Sequence, residues 1–545
     1  MFSVWILVLL ATTTTSANLV FTKSGPIIGK ERWTDPENKL YYAYQGIPYA
    51  KPPVGDLRFA DPVPPDNWIL PKLTISDQSR CLQLSLKSFS SEDCLYINVY
   101  SPTNNASAKL PVMVWIYGGF FLFGDGDYKD LGPDYFLEQD VVFVDFNYRL
   151  GVLGFLSTAD EAASGNWALK DQILALKWVQ DNIENFGGDK NSVTLFGQSA
   201  GAGASSYLSL MPETKGLFHK VILQSGSALN LWSLARQPRR AAFAVGNFYG
   251  IDTNDSKILV EELRKVDALN LTVVGLSEDL RETIEENPRD GLIFGPVIEP
   301  SHDGAVVTWK SYEKMASGDF NQVPYMMGFT SQEGGQTVEV IDWIKLYILA
   351  TFDADPVKLV PICMNINDTT SKNAVSLFIK THYFGIIPAA FSDEEIIQYI
   401  SDDQFVRPVY QSAKLMSQYT DVYLYRFSYL GDVYKSTRST TDVYHAEELN
   451  YLFKIADNPQ LTSTGDLKVR KQLIKLWTNF AKYSNPTPQL DFDFNLAIWD
   501  KVDSNNIRYL DIGNYLAMSS NLTQYSLDFW QELYDSHGVP PYDTY

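Results

Sequence analysis

Residues 197–201, Gly-Gln-Ser-Ala-Gly, constrain the possible folds of this chain more than any other stretch. An apolar run, 192–196, precedes them, and small residues that become apolar, 202–210, follow. This order predicts a strand, a sharp turn with Ser199 at its apex, and a helix. Glycines on both sides of the serine suit a crowded turn, because residues without a β-carbon tolerate a close backbone approach. The alternative is an ordinary glycine-rich turn, since the chain contains 34 glycines.

The rest of the chain alternates apolar strands with helices. The predicted strands are 111–117, 141–146, 192–196, 220–224, 323–328 and 422–427, and the clearest helices are 166–186 and 469–483. Such strands indicate a mostly parallel sheet covered on both faces. A G-x-S-x-G turn in this setting is the nucleophile elbow of α/β-hydrolases. We therefore predict an α/β-hydrolase fold with helical insertions, formed by a single domain over residues 18–545.

The first 17 residues have the pattern of a secretory signal peptide. Residues 4–11 form an apolar core, and 15–17 are small residues suited to cleavage. A membrane anchor is the alternative, but the apolar run is too short to span a bilayer. The sequence thus predicts a secreted, extracellular protein without stable membrane insertion.

In the oxidising compartment of a secreted protein, cysteines can form disulfides and N-x-[ST] sequons can be glycosylated. Of the three cysteines, Cys81 and Cys94 are the natural disulfide pair, and Cys363 is left as a buried free thiol. Five asparagines are glycosylation candidates and therefore expected at the surface: Asn105, Asn254, Asn270, Asn367 and Asn521.

The net charge of the chain is −21. This acidic balance argues against nucleic acid and against anionic membrane surfaces as partners. It does not identify a substrate, and the sequence leaves the oligomeric state open.

A serine nucleophile needs a histidine base, and the chain has five histidines. His219 precedes its strand, His302 precedes the acid candidate, His382 lies within a helical stretch and His537 lies in the tail. Only His445 lies on a loop that follows a strand, as the chain order of this fold requires. The alternative is a helix-capping or surface histidine. No H-E-x-x-H or other ligand cluster indicates a metal.

The acid and the oxyanion hole are expected on loops that follow strands of the same sheet. Glu333 is the first carboxylate after the strand 323–328, where it would hold His445 in the correct tautomer. The alternative is a solvated loop glutamate. Gly118 and Gly119 follow the strand 111–117, and their N–H groups, with that of Ala200, would face a developing oxyanion.

Several longer motifs resemble the type-B carboxylesterases, the family of cholinesterases and insect esterases. They include YYAYQGIPYAKPPVGDLRF (41–59), SEDCLYINVY (91–100), NYRLGVLGFLS (147–157), LFGQSAGAGA (195–204), TSQEG (330–334) and YHAEELNYLF (444–453). The resemblance implies a catalytic triad of Ser199, Glu333 and His445, and an oxyanion hole bordered by Gly118, Gly119 and Ala200. It also implies a Cys81–Cys94 disulfide, a serine beside the triad at Ser225, and no cofactor.

Some residues depart from the family pattern and are candidates for the substrate pocket, together with Phe121 and Ser225. Phe120 stands where a small residue is usual in the glycine loop. Gln198 stands where most members have Glu, which is similar to insect juvenile hormone esterases. The interval between Cys81 and Cys94 lacks the tryptophan that binds choline in cholinesterases, so acetylcholine is not the expected substrate.

The resemblance implies a secreted serine esterase whose substrates are small apolar carboxylic esters, with juvenile hormone as the specific candidate. An odorant- or pheromone-degrading esterase, or a general detoxifying esterase, is the alternative. A non-catalytic adhesion or scaffold member of the same fold is a further alternative, although such relatives usually lose the nucleophile or the histidine, and both are present here.

Overall fold

A computed structural model describes residues 18–83, 90–274, 291–335, 351–389, 392–435, 442–458, 460–520, 522 and 524–545. The predicted signal peptide and the sequon at Asn521 lie outside the described residues. Within them, no helix is long and apolar enough to cross a membrane.

The described residues contain fifteen strands of two to eleven residues. They are β1 (Asn18–Phe21), β2 (Pro26–Trp33), β3 (Leu40–Pro48), β4 (Lys72–Leu73), β5 (Arg80–Cys81), β6 (Ser90–Ser91), β7 (Tyr96–Ser101), β8 (Leu110–Ile116), β9 (Val142–Phe146), β10 (Gly188–Gln198), β11 (Lys220–Gln224), β12 (Tyr325–Thr330), β13 (Val422–Phe427), β14 (Tyr509–Ile512) and β15 (Leu516–Ser519).

One large sheet organises the fold, with strand order β1-β2-β3-β7-β9-β8-β10-β11-β12-β13-β14-β15. The strands from β9 to β14 are parallel, whereas the strands at both ends pair antiparallel. Every residue of β9, β11 and β12 is buried. The centre of the sheet is therefore covered on both faces, as expected for parallel strands.

Helices follow most of the central strands. They are α1 (Asp134–Leu137), α2 (Gly151–Phe155), α3 (Trp167–Asn182), α4 (Ala200–Leu210), α5 (Pro238–Phe248), α6 (Ser256–Leu263), α7 (Ala268–Val273), α8 (Ser311–Ser317), α9 (Thr369–Tyr383), α10 (Asp393–Ile400), α11 (Arg407–Met416), α12 (Asp432–Lys435), α13 (Leu449–Leu452), α14 (Thr464–Tyr483) and α15 (Leu527–His537). A π-helical turn, Ser401–Val406, joins α10 to α11. Short 3₁₀ turns lie at Gly55–Leu57, Ile183–Phe186, Pro212–Thr214, Leu231–Ser233, Pro356–Leu359, Ile362–Met364 and Phe492–Phe494.

The predicted α/β fold is confirmed, and each of the six predicted strands corresponds to a strand of the sheet. The predicted helix 166–186 is α3 followed by a 3₁₀ turn. Sequence patterning did not identify β14 and β15, which extend the sheet beyond β13. Each has only four residues, too few for a periodic signal to emerge.

The cysteines behave as the sequence predicted. Cys81 and Cys94 form a disulfide with their Cα atoms 4.9 Å apart. Cys363 is a buried free cysteine, and burial raises the pKa of its thiol. Its Sγ atom lies 2.9 Å from the hydroxyl of Tyr534, so this thiol belongs to the packed interior and not to a reactive surface.

Candidate active site

Ser199 lies between the end of β10 and the first residue of α4. Its backbone has φ 56° and ψ −126°, a conformation that residues with a β-carbon rarely adopt and that costs about 1–3 kcal/mol. Two hydrogen bonds hold it there: Ser199 N–H donates to Gln224 O (2.8 Å), and Gly203 N–H donates to Ser199 O (2.9 Å). The strand and the helix therefore fix a strained turn that presents the serine side chain.

The two outer glycines of the turn are required by close packing. A β-carbon on Gly201 would lie 2.0 Å from Ile116 O, and one on Gly197 would lie 2.5 Å from the carbonyl of Gly201. Both obstacles are backbone atoms of the sheet and of the turn itself, so neither can move aside cheaply. The G-x-S-x-G pattern thus has a steric cause in this chain.

We expect Gly201→Ala to lower the melting temperature strongly, or to prevent folding, because the new methyl group would overlap the backbone of β8. Gly203→Ala in the same helix is the matched control: its β-carbon would meet only side-chain atoms, the Trp232 ring at 3.3 Å and Ser233 Cβ at 3.6 Å. Alanine also favours a helix by about 1 kcal/mol over glycine. Thermal unfolding followed by circular dichroism compares them. Equal melting temperatures for the two variants would contradict the steric explanation.

Glu333 and His445 come together from the loops after β12 and β13. His445 Nδ1 lies 2.6 Å from Glu333 Oε2, and the other carboxylate oxygen accepts a hydrogen bond from Thr330 N–H (2.8 Å). Both side chains are buried. The ring of Phe405 packs against the imidazole, with the two ring centroids 4.8 Å apart. Glu333 is therefore a buried partner of the histidine and not a solvated loop residue.

The second imidazole nitrogen faces Gln198, the residue before Ser199. Gln198 Nε2 lies 3.1 Å from His445 Nε2. Within the described part of the chain, no hydrogen bond joins the Ser199 hydroxyl to His445. Gln198, Ser199 and His445 are all less than 10% exposed, so the nucleophile candidate and the histidine share a confined space.

The glycine loop lies directly over the serine turn. A β-carbon on Gly118 would come 3.0 Å from Ser199 Cβ. The N–H groups of Gly118, Gly119, Phe120 and Ala200 donate no hydrogen bond to other described residues. They are consequently free to bind an anion beside Ser199.

The two phenylalanines of this loop have different environments. Both adopt left-handed backbone conformations, with φ 56° at Phe120 and 59° at Phe121. Phe121 is fully buried with its ring edge against Phe155, whereas Phe120 is 38% exposed near Phe123. Of the two pocket candidates in the loop, Phe120 alone presents its side chain to solvent.

A buried polar network adjoins the histidine. Gln224 donates to Glu448 Oε1 (3.0 Å) and accepts from the Trp477 indole N–H (3.0 Å). Burial, together with the charge of Glu333, raises the pKa of Glu448 to about 7. The three-residue spacing from His445 to Glu448 was a usable sequence signal. No local pattern indicated Gln224 or Trp477, because they reach the site only through the tertiary fold.

Ser225 lies one residue beyond β11 and is fully buried. Its backbone has φ 55°, its N–H donates to Gly328 O (2.8 Å), and its hydroxyl has no partner among the described residues. It occupies the packed layer beneath the serine turn, since a β-carbon on the adjacent Gly226 would lie 2.5 Å from Ser199 O.

The other histidines have separate environments. His219 accepts from Val193 N–H, His302 lies beside Glu299, His382 stacks on Phe529, and His537 lies near Phe378. Over the described ranges, no group of three or more His, Cys, Asp or Glu side chains is arranged to hold a metal ion.

A strained serine turn after a central parallel strand, beside a carboxylate-bound imidazole, defines an α/β-hydrolase. The sequence model of the carboxylesterase family matches residues 16–530. The chain belongs to that family and is a carboxylic ester hydrolase.

Its relatives span nearly the whole chain. Juvenile hormone esterase of Tribolium castaneum is 34% identical, over 92% of this chain and 89% of its own length. Carboxylesterase 1E of Rattus norvegicus is 33% identical, over 95% and 94%. Among solved structures, juvenile hormone esterase of Manduca sexta with OTFP covalently attached matches with a TM-score of 0.85 and 30% identity, over 95% of this chain and 99% of that one. A PNB esterase matches with a TM-score of 0.75 and 29% identity, over 94% and 99%.

Proposed function

We propose that the chain is a secreted serine carboxylesterase that hydrolyses small apolar esters through Ser199, His445 and Glu333. The observation that carries the proposal is the contact between Glu333 and His445 beside the strained turn of Ser199. A buried carboxylate at Nδ1 keeps the proton on that nitrogen and leaves Nε2 able to accept one. This is the state that a general base requires.

In this mechanism, Ser199 Oγ attacks the ester carbonyl while His445 Nε2 takes the hydroxyl proton. The imidazolium, stabilised by Glu333, returns the proton to the leaving alcohol, and an acyl-enzyme remains on Ser199. Water then attacks the acyl carbon with the same base, which releases the acid and restores the serine. Every proton transfer uses a group of the chain or water, so no cofactor or metal is needed.

The unpaired N–H groups of the glycine loop and of Ala200 support an oxyanion hole. Gly118, Gly119 and Ala200 were predicted for this role. The N–H of Phe120 belongs to the same unpaired set, because a side chain does not remove the backbone donor. Donors fixed before the reaction stabilise the negative oxygen of the tetrahedral intermediate.

An apolar cavity supports the choice of substrate class. It has a volume of about 260 Å³ and is lined by Leu82, Gln83, Leu122, Phe123, Leu150, Gly151, Val152, Leu153, Leu271, Thr272, Val274 and Phe294. Its two polar side chains are already hydrogen-bonded, Gln83 to the backbone of Cys81 and Gly124, and Thr272 to Leu269 O. Leu122 and Phe123 follow the glycine loop directly, and the backbone N–H of each donates to Gly119 O. This cavity therefore adjoins the site and suits a hydrocarbon group of the ester.

Juvenile hormone is the specific substrate that we propose. Two relatives are named juvenile hormone esterases, one of them solved with OTFP covalently attached. Gln198 adds no charge beside Ser199, which suits a neutral apolar ester better than a cation. An odorant-degrading or detoxifying esterase would instead prefer short acetates or accept every ester tested.

The proposal that the protein is secreted rests on the signal pattern, which lies outside the described residues, and on the disulfide and the sequons within them. The signal pattern of residues 1–17 and the Cys81–Cys94 disulfide both fit an oxidising compartment. The four described sequons, at Asn105, Asn254, Asn270 and Asn367, are exposed and so accessible for glycosylation. We also propose that residues 18–545 act as one domain, because all the described strands except β5 and β6 join one sheet, from β1 to β15.

A substrate panel tests the function and the cavity together. We expect wild-type protein to hydrolyse juvenile hormone with a higher kcat/KM than a short acetate ester or a long-chain aryl ester. Thr272→Trp, which fills the cavity from α7, should lower kcat/KM for juvenile hormone and the long-chain ester about tenfold or more. Each methylene excluded from an apolar site costs about 0.8 kcal/mol.

Leu269→Trp combined with Asn270→Gln is the control for this variant, because Thr272→Trp also removes the Asn270-Leu271-Thr272 sequon. Leu269 lies on the same helix but is 56% exposed and does not line the cavity. The double variant should leave all three kcat/KM values within about twofold of wild type. If Thr272→Trp lowered kcat/KM equally for the short acetate and the long ester, the cavity would not be part of the substrate site. Absence of hydrolysis by the wild type would reject the proposed function.

A further inference from the structure

We propose that Gln198 is a positioning residue that holds His445 ready to accept a proton before the ester enters. This inference rests on the proposed function. Its basis is the 3.1 Å contact between Gln198 Nε2 and His445 Nε2 inside a buried site. Together with Glu333 at Nδ1, the amide holds the imidazole at both nitrogens.

The chemistry of the two contacts fixes the proton positions. The Glu333 carboxylate can only accept, so Nδ1 carries a hydrogen, and in the neutral imidazole Nε2 then has a lone pair. A side-chain amide facing this lone pair must donate through its NH₂ group, because its oxygen would meet another acceptor. Gln198 thus favours the neutral imidazole over the imidazolium, in which Nε2 also carries a hydrogen.

Ser199 needs the same lone pair. During acylation Nε2 must accept the serine proton, so the amide has to release it when substrate binds. A glutamate here would act in the opposite way, since its carboxylate would accept from Nε2 and stabilise the imidazolium. Glutamine and glutamate at this position therefore have opposite effects on the charge of the imidazole.

The other groups around His445 do not supply this effect. Glu333 is bound at Nδ1, and Glu448, three residues along, is held by Gln224. Helix α4 contains no charged residue. The turn that carries Phe405 has two acids, but Asp402 accepts from Tyr383 and Asp403 pairs with Arg407.

Two substitutions at Gln198 test the role through pH profiles of kcat/KM with an aryl acetate. Gln198→Met keeps the length but removes the donor, and should move the acid limb upward by roughly half to one pH unit. Gln198→Glu should move it upward by roughly one to three units. Gln172→Met, a buried glutamine of α3 outside the site, should leave the limb in place.

Nitrogen NMR of histidine-labelled protein gives a readout that does not depend on turnover. The His445 Nε2 resonance should titrate in the same order: wild type lowest, then Gln198→Met, then Gln198→Glu. The positioning role would be overturned if wild type and Gln198→Met gave the same Nε2 titration and the same acid limb, or if both moved to lower pH in Gln198→Met. Hydrolysis by the wild type would not be affected by that result. Loss of hydrolysis in wild type with the ordered titrations preserved would reject the proposed function alone.

Discussion

Replacing Ser199 by alanine should lower kcat/KM for a simple aryl ester by about 10⁵–10⁶. The loss is this large because the hydroxyl is the atom that forms the acyl bond, and no other group in the site can replace it. Alanine should also adopt the strained turn, since the two hydrogen bonds of the Ser199 backbone remain. Steady-state hydrolysis and thermal unfolding therefore separate lost chemistry from lost folding.

A matched serine and a covalent probe sharpen this experiment. Ser206 lies about two turns further along α4, is fully buried, and its hydroxyl has no partner in the described ranges. Ser206→Ala should keep activity within about twofold. An organophosphate should add one equivalent to wild type and to Ser206→Ala, and none to Ser199→Ala. Undiminished hydrolysis in Ser199→Ala would reject the mechanism.

Replacing Glu333 by glutamine should lower kcat by about 10³–10⁴ with little change in KM. The new amide would donate to Nδ1 and drive the hydrogen to Nε2, so the imidazole would face Ser199 with a donor instead of a lone pair. The carboxylate that stabilises the imidazolium would be lost as well. Comparing kcat, KM and the melting temperature with wild type checks both causes.

Glu448→Gln is the contrasting variant for Glu333→Gln. Glu448 is equally buried and lies near the same histidine, but it contacts Gln224 and not the imidazole. Its pKa of about 7 means that much of it is protonated at neutral pH, so an amide resembles its natural state. We expect less than a tenfold loss of kcat. If kcat fell by similar factors in the two variants, the effect of Glu333 would come from its buried charge near the histidine and not from its contact with the imidazole.

Much of the fold was predictable because its central strands contain near-continuous apolar runs, such as Val142–Phe146 in β9 and Val422–Phe427 in β13. The serine turn was found from five residues, since close packing demands glycine at Gly197 and Gly201. His445 was predicted by elimination, because in this fold reactive loops follow strand ends, and its catalytic role stays a prediction. The short strands β14 and β15 were missed because four residues carry no clear period.

The contacts within the site were less predictable. Sequence position left Glu333 open between an acid and a solvated residue, and only its 2.6 Å contact with His445 distinguishes them. Gln198 was noticed for its missing charge, but its contact with the imidazole joins residues 247 positions apart. The bonds of Gln224 to Glu448 and Trp477 span 224 and 253 positions. Local patterns cannot reveal such pairs.

The order of strands β10 to β13 has a consequence for how this enzyme matures. Ser199, Glu333 and His445 follow β10, β12 and β13, which are distant in the chain. In the sheet β12 and β13 are adjacent, and only β11 separates β12 from β10. Parallel pairing over such separations is slow, because long loops must close before any contact forms. Secondary structure should thus return early during refolding, while esterase activity returns last. The appearance of activity then reports completion of the central sheet, and a nascent chain shorter than about 450 residues would carry the proposed nucleophile without its proposed base.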